Sequence, residues 1–326
     1  MKHISILIPE TAVIEAVADP RYAFTAVNQF LEEDGKRPLF TVQLVAMKKE
    51  VKLEKSLFSV HADALLKDVK KTDLIFIPAI SGDIKNALAL NKNLIPWIVE
   101  QYKNGAEVAS LCIGAFLLAS TGLLDGKKCS THWNSANEFR SMFPDVELVD
   151  GSIITEAHGL YTSGGANSYW NLLLYLVEKY TDRSTAIRIA KYFAIEIDRT
   201  SQNAFVIFQG QREHEDEAIR KAQDFIEKNF SDKITVDQLA DKFSIGRRSF
   251  ERRFKKATNN TVVEYMQRVK MEAAKRSFET SRKNINEVMF DVGYTDTKAF
   301  RTIFKKITGL TPIEYRNKYN RQAMVA

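Results

Sequence analysis

The chain has 326 residues, 45% apolar and 27% charged, with a net charge of +6; this is an ordinary globular composition, long enough for two domains. No apolar run reaches the ~18–20 residues of a membrane-spanning helix, and the short run after Met1-Lys2-His3-Ile4 lacks a signal-peptide cleavage site. Two cysteines, Cys112 and Cys129, build neither a disulfide framework nor a zinc site, so a cytoplasmic protein without metal or cofactor is expected. The charge is unevenly placed: residues 1–214 carry 23 basic against 25 acidic side chains, and residues 215–326 carry 24 against 16. A basic module joined to a near-neutral one has the electrostatics of a nucleic-acid-binding appendage, although a lysine-rich solvated bundle would have the same balance.

In chain order, the first ~180 residues alternate apolar runs with amphipathic stretches. Residues 4–9 read as a strand, 23–33 as a helix stopped at Gly35, 40–46 as an alternating strand, and 74–78 (LIFIP) as a buried strand. Residues 91–103 read as a helix with Gly105 just beyond it, 106–111 as a strand, and 115–120 as a helix stopped at Gly122. This alternation predicts a flavodoxin-like α/β domain, its mostly parallel sheet covered on both faces by helices.

From Ser184 onward the apolar spacing becomes three and four, and strand alternation disappears. Residues 185–195 read as a helix, 198–208 as a polar connector, and 215–229 as an amphipathic helix, with helices to the end. The domain boundary is placed between about Phe208 and Glu215, giving domains 1–208 and 215–326. The second is predicted all-α and holds a repeat. Residues 234–257 and 285–307 each read as a short helix, a tight turn and a second helix. The second helices match as Ser249-Phe250-Glu251-Arg252-Arg253-Phe254-Lys255-Lys256 and Ala299-Phe300-Arg301-Thr302-Ile303-Phe304-Lys305-Lys306.

Phenylalanines four apart in each second helix share one face and suit a core. Arg248, Glu251 and Arg252 then fall on another face, as expected of a helix lying in a major groove. Lys255, Lys256, Lys305 and Lys306 are suited to phosphates, with Arg247 beside them. Thr297, Lys298, Arg301 and Thr302 are the weaker candidates of the second unit. Between the units residues 262–277 read as a helix of about 24 Å, which with its flanking turns approaches the ~34 Å between successive major-groove faces.

These motifs resemble an AraC-type DNA-binding domain over residues 217–319. The second unit carries the pattern nearly whole: Ile285, Val288-Met289-Phe290-Asp291-Val292-Gly293-Tyr294, Phe300, Phe304-Lys305-Lys306, Gly309-Leu310-Thr311-Pro312 and Tyr315-Arg316. Met289 and Phe290 depart from the alanines common there. The resemblance implies double-stranded DNA as partner.

In the N-terminal part, Ala106 to Phe116 reads as a strand, a sharp turn at Cys112 and a helix, the arrangement of a nucleophile elbow. Helix N–H groups there would favour a thiolate, and Gly114 would permit close packing. Thr131-His132-Trp133 follows twenty residues on, and histidine is the natural partner of a reactive thiol. Residues 3–180 resemble the PfpI/class I glutamine-amidotransferase-like fold, closest to the form fused to AraC-type domains, the GlxA-like regulators. The matching residues are Cys112, Gly114 to Ala119, Gly122 to Gly126, Thr131 to Trp133 and Tyr161 to Gly165. The resemblance implies a pocket of Glu15, Cys112, Ile113, His132 and Gly164, and a homodimer. Ile113 stands where catalytic members often have histidine, and Ser168-Tyr169-Trp170 where an acidic residue is common. The reading is therefore a regulator that senses a small molecule, with no catalysis expected. The alternative is an amidase- or hydratase-type enzyme using Cys112, His132 and Glu15, tethered to DNA; a third is an architectural DNA binder without an effector.

Overall fold

The computed structural model describes residues 1–53, 56–197, 201–212 and 214–320, which form two compact units dividing at Gln202/Asn203. The connector expected at 198–208 lies outside the described residues at 198–200, as do Glu213 in the expected boundary stretch and the terminal residues 321–326.

The first unit runs β1 (Lys2–Leu7), α1 (Ile14–Glu33), β2 (Phe40–Ala46), β3 (Glu50–Leu53), β4 (Phe58–His61), β5 (Ala64–Leu65), β6 (Leu74–Ile77), α2 (Ile84–Asn91), α3 (Ile95–Lys103), β7 (Glu107–Ser110) and α4 (Ala115–Ala119). It continues through β8 (Lys128–Cys129), α5 (Ala136–Met142), β9 (Glu147–Leu148), β10 (Ile154–Ala157), β11 (Leu160–Ser163), α6 (Tyr169–Tyr180) and α7 (Arg183–Tyr192). Seven strands form one sheet in the order β10-β11-β7-β6-β1-β2-β5. Every pairing in it is parallel except β10 with β11.

The expected α/β class is what the structure has. The LIFI run explains why. Leu74 and Phe76 point into one core, with Phe24, Leu173 and Leu176. Ile75 and Ile77 point into the other, with Ile98, Phe116 and Phe139. A strand buried on both faces needs apolar residues at every position rather than at alternate ones.

Three local expectations change. Helix α1 begins at Ile14, nine residues before residue 23, and runs through Pro20. Ala16, Val17 and Pro20 are buried, and that burial outweighs the backbone bond a proline removes. The stretch read as one helix over 91–103 is α2, a 3₁₀ turn at Lys92–Leu94 and α3, with Pro96 in the first turn of α3. The β3–β4 hairpin pairs Glu50 with His61 and Leu53 with Phe58; its charged alternation hid it among loop residues.

The second unit is α8 (Glu217–Lys228), α9 (Val236–Lys242), α10 (Arg247–Thr258), α11 (Val262–Thr280), α12 (Ile285–Asp291), α13 (Thr297–Thr308) and α14 (Pro312–Tyr319). It has two cores. One gathers Ile219, Leu239, Phe250, Phe254 and Tyr265; the other gathers Phe278, Val288, Phe300, Phe304 and Tyr315. Helix α11 contributes its first half to one and its second half to the other. The domain boundary moves earlier than expected. The Ala204 carbonyl accepts from the Tyr319 hydroxyl at 3.3 Å, and the Phe208 N–H donates to Glu272 at 3.1 Å. The Phe208 ring meets Tyr265 at 5.1 Å. Polar composition concealed this packed edge. Among the described residues no helix is long and apolar enough to cross a membrane.

Candidate functional site

Cys112 sits where β7 ends and a 3₁₀ turn (Cys112–Gly114) leads into α4, with φ +55°. A side-chain-bearing residue in this left-handed region costs about 1–3 kcal/mol, so its surroundings must hold it there. They do. The Cys112 N–H donates to Ser163 Oγ at 3.3 Å, and the Thr131 hydroxyl donates to the Cys112 carbonyl at 3.2 Å. Gly114 is required: a Cβ there would stand 2.6 Å from the Ile77 carbonyl oxygen and closer still to that of Pro78. The elbow geometry predicted for Cys112 is present.

The expected thiolate is not. Cys112 is 4% exposed, and burial pushes its thiol up to about 12. Desolvation of the charge outweighs what a short helix start supplies. His132 does not approach it through a hydrogen bond among the described residues. Its Nδ1 instead accepts from the Asn134 N–H at 3.1 Å, and its ring lies against Trp133. Burial lowers its pKa, which favours neutral imidazole. Glu15 is exposed on α1. It acts electrostatically on Asp19 and Tyr169. Tyr169 also feels Cys112. Asp19 accepts from the Tyr169 hydroxyl at 2.6 Å and from Trp170 Nε1 at 2.9 Å; burial raises its pKa above the usual carboxylate range.

Asp19, Tyr169 and Trp170 are thus joined by hydrogen bonds, whereas among the described residues no hydrogen bond links Cys112, His132 and Glu15 into a relay. Ile113 is half-buried beside Cys112. Gly164 lies against the Thr131 carbonyl and the Gln202 side chain. Asp19 and Gln202 were missed, because partners 150 and 71 residues apart leave no local pattern. A cavity of about 310 Å³ lies elsewhere, between α1 and residues Leu44 and Val60. Cys129 is a buried small residue, its thiol likewise pushed up to about 12.

Fewer than about one thiol in a thousand would then be ionised at pH 8. Iodoacetamide should leave both cysteines of the native protein unmodified at that pH and label both in guanidinium, read by mass spectrometry. Prompt labelling of native Cys112 contradicts the buried-thiol assignment.

In the second unit the repeat is deeper than the matched helices. Thr258 and Thr308 each donate to the carbonyl four residues back, at 2.8 Å. Asn259 (φ +55°) and Gly309 (φ +78°) end α10 and α13 in the left-handed conformation. Capping boxes Thr261/Glu264 and Thr311/Glu314 start the next helices. Tyr265 packs on Phe254 at 5.3 Å and donates to Glu227, as Tyr315 packs on Phe304 at 5.5 Å and donates to Glu279.

Both turns close alike. Ile245 N–H bonds the Ala240 carbonyl and Tyr294 N–H the Met289 carbonyl, each at 3.0 Å. The left-handed residue is Ser244 in the first turn and Gly293 in the second.

This packing leaves one face of each second helix in solvent. Arg248, Glu251, Arg252, Lys255 and Lys256 are exposed on α10; Lys298, Arg301, Thr302, Lys305 and Lys306 are exposed on α13, and Thr297 is half-buried. Arg247 is exposed but engaged, with Asp237 at 2.9 Å and Glu251 at 3.6 Å. Arg253 is paired to Asp216 through two bonds of 2.8 and 2.6 Å and serves the fold. Among the described residues Arg248, Arg252 and the four lysines make no ion pair closer than 4.0 Å.

The DJ-1/PfpI family profile matches residues 22–179, and a helix-turn-helix domain profile matches residues 239–318. The chain is 23% identical over 238 residues to the HTH-type transcriptional regulator GbdR of Pseudomonas aeruginosa, covering 73% of this chain and 65% of that one. It is 24% identical over 217 residues to the HTH-type transcriptional regulator ArgR of the same species, 66% of each chain. It thus spans just under two thirds of the length of these relatives. A THiJ/PfpI family protein from Pseudomonas syringae shares the fold with a TM-score of 0.51 at 15% identity, over 63% of this chain and 79% of that one.

Proposed function

We propose that this chain, which joins a DJ-1/PfpI domain to an AraC-type helix-turn-helix domain, is a sequence-specific, DNA-binding transcription regulator of the cytoplasm. Its first unit is the sensor of a small molecule, and its working form is a homodimer. The observation that carries the reading is the duplicated unit. Two helices of twelve residues, α10 and α13, are held by equivalent aromatic cores and each turns cations outward. Helix α11 has nineteen residues, about 28 Å, so with its flanking turns it suits the ~34 Å step between major-groove faces. Arg248 and Arg252 are assigned to base edges, with Glu251, Lys298, Arg301 and Thr302 beside them; Lys255, Lys256, Lys305 and Lys306 are assigned to phosphates.

The regulator reading is favoured over the enzyme by the buried neutral thiol and the His132 ring turned to its own cap. The two relatives named above are transcriptional regulators by title.

Each lysine–phosphate contact releases about 0.9 counterion. The double variant Lys305→Ala/Lys306→Ala should therefore weaken binding to every duplex and flatten the plot of log K against log salt by up to about two units. An unchanged slope, measured by fluorescence anisotropy, sinks the phosphate assignment.

A further inference from the structure

Gln202 is the last residue of the first unit, and its side chain is 2% exposed. Its amide nitrogen donates to the Thr131 carbonyl at 3.0 Å and the Ser152 carbonyl at 3.2 Å. Its amide oxygen accepts from the Trp133 N–H at 3.3 Å. The backbone follows, with the Gln202 N–H on the Gly151 carbonyl at 2.8 Å. Gly164 makes the space: a Cβ there would stand 2.7 Å from the Thr131 oxygen and nearer the Gln202 nitrogen. The cradle therefore presents two carbonyl acceptors and one N–H donor, all backbone, beside a glycine.

Backbone groups fix the ligand class. A carboxylate would set its oxygens against two carbonyl oxygens. An ammonium would satisfy the carbonyls but offer the half-buried Trp133 N–H no acceptor. Among side-chain head groups, the primary carboxamide is the one that offers two N–H donors and an acceptor on one planar head.

The cradle also shares its walls with the elbow. Thr131 takes the Gln202 amide on its carbonyl while its hydroxyl holds the Cys112 carbonyl. Gly164 follows Ser163, whose Oγ holds the Cys112 N–H. Two residues beyond Gln202, Ala204 is already bonded within the second unit.

We propose that this cradle is a primary-carboxamide site whose resident occupant is Gln202, and that a small molecule bearing a carboxamide displaces it and frees the chain leading into the helical unit. This deepens the sensor reading above and rests on it. A tethered occupant acts at high effective concentration, so displacing it takes a ligand with contacts beyond its amide, and a bare amide such as propionamide binds measurably only when Gln202 is absent.

The test uses the full chain with Gln202→Ala and propionamide, with propionate, propylamine and butanone as controls. By calorimetry the variant binds propionamide saturably and at least about tenfold more tightly than any control, while the wild type shows no saturable uptake over the same range. By hydrogen exchange, protection of amides 201–206 falls in the variant and returns with propionamide. A folded variant that binds no amide, or binds all four compounds alike, overturns the proposal. If Gln202→Ala does not fold, Gln202→Glu keeps the volume and is expected to lose protection at 201–206 at pH 8; protection equal to wild type overturns it. Neither readout involves DNA, so failure here leaves the DNA-binding reading standing, and loss of DNA binding leaves the carboxamide site standing.

Discussion

Gly293→Ala should destabilise the helical unit by about 3 kcal/mol or more and remove its DNA binding. Gly293 holds φ +76° in the turn between α12 and α13, and a Cβ there would stand 2.8 Å from Lys270 Nζ and from the Ser231 carbonyl carbon, with the Ser231 oxygen nearer still. Backbone cannot yield as a side-chain end can. The left-handed conformation adds its own cost to any residue with a Cβ. The first helix-turn-helix supplies the control. Gly246 has ordinary φ and open space around it, so Gly246→Ala should change stability by less than about 1 kcal/mol. Chemical denaturation followed by far-UV circular dichroism compares them; equal midpoints for the two variants would contradict this account of the turn.

Arg252→Ala should cost about 1–3 kcal/mol on the preferred duplex and relax the preference at one base position. The assignment comes from elimination among the four α10 arginines. Arg247 is tied to Asp237, and Arg253 holds Asp216, the N-cap of α8. Arg248 and Arg252 remain, one turn apart on the exposed face. Arg253→Ala should instead lower stability, since it breaks a two-bond, half-buried pair that ties α10 to the N-cap of α8. Titration of Arg252→Ala against matched and scrambled duplexes separates the roles. Equal weakening on both would make Arg252 a phosphate contact.

The architecture was largely legible because burial imposes period. LIFI at 74–77 could only be a strand covered on both faces, and Phe250/Phe254 with Phe300/Phe304 could only be matched helix faces. The turn residue Cys112 was legible for the same local reason, lying between an apolar strand and a glycine. What failed depended on partners distant in sequence. Pro20 suggested a break, yet packing of Ala16 and Val17 on the sheet carries α1 through it. The helix start at Cys112 suggested an ionised thiol, yet burial pushes that thiol up to about 12 and favours its neutral form. Ser168-Tyr169-Trp170 read only as a departure from an enzyme pattern, whereas Tyr169 and Trp170 anchor Asp19 of α1. The domain boundary followed polar composition and missed that Phe208 packs against the core of the second unit.

In the regulator proposed above, α10 and α13 read two successive major-groove faces. Selection from a random duplex pool with the full chain, followed by methylation interference on the enriched sequence, tests it most directly. For each bound copy, two patches of guanine N7 interference centred about 10 base pairs apart are the predicted result, with the patch assigned to α10 lost in Arg252→Ala. A single patch, or no enrichment over the starting pool, would contradict it.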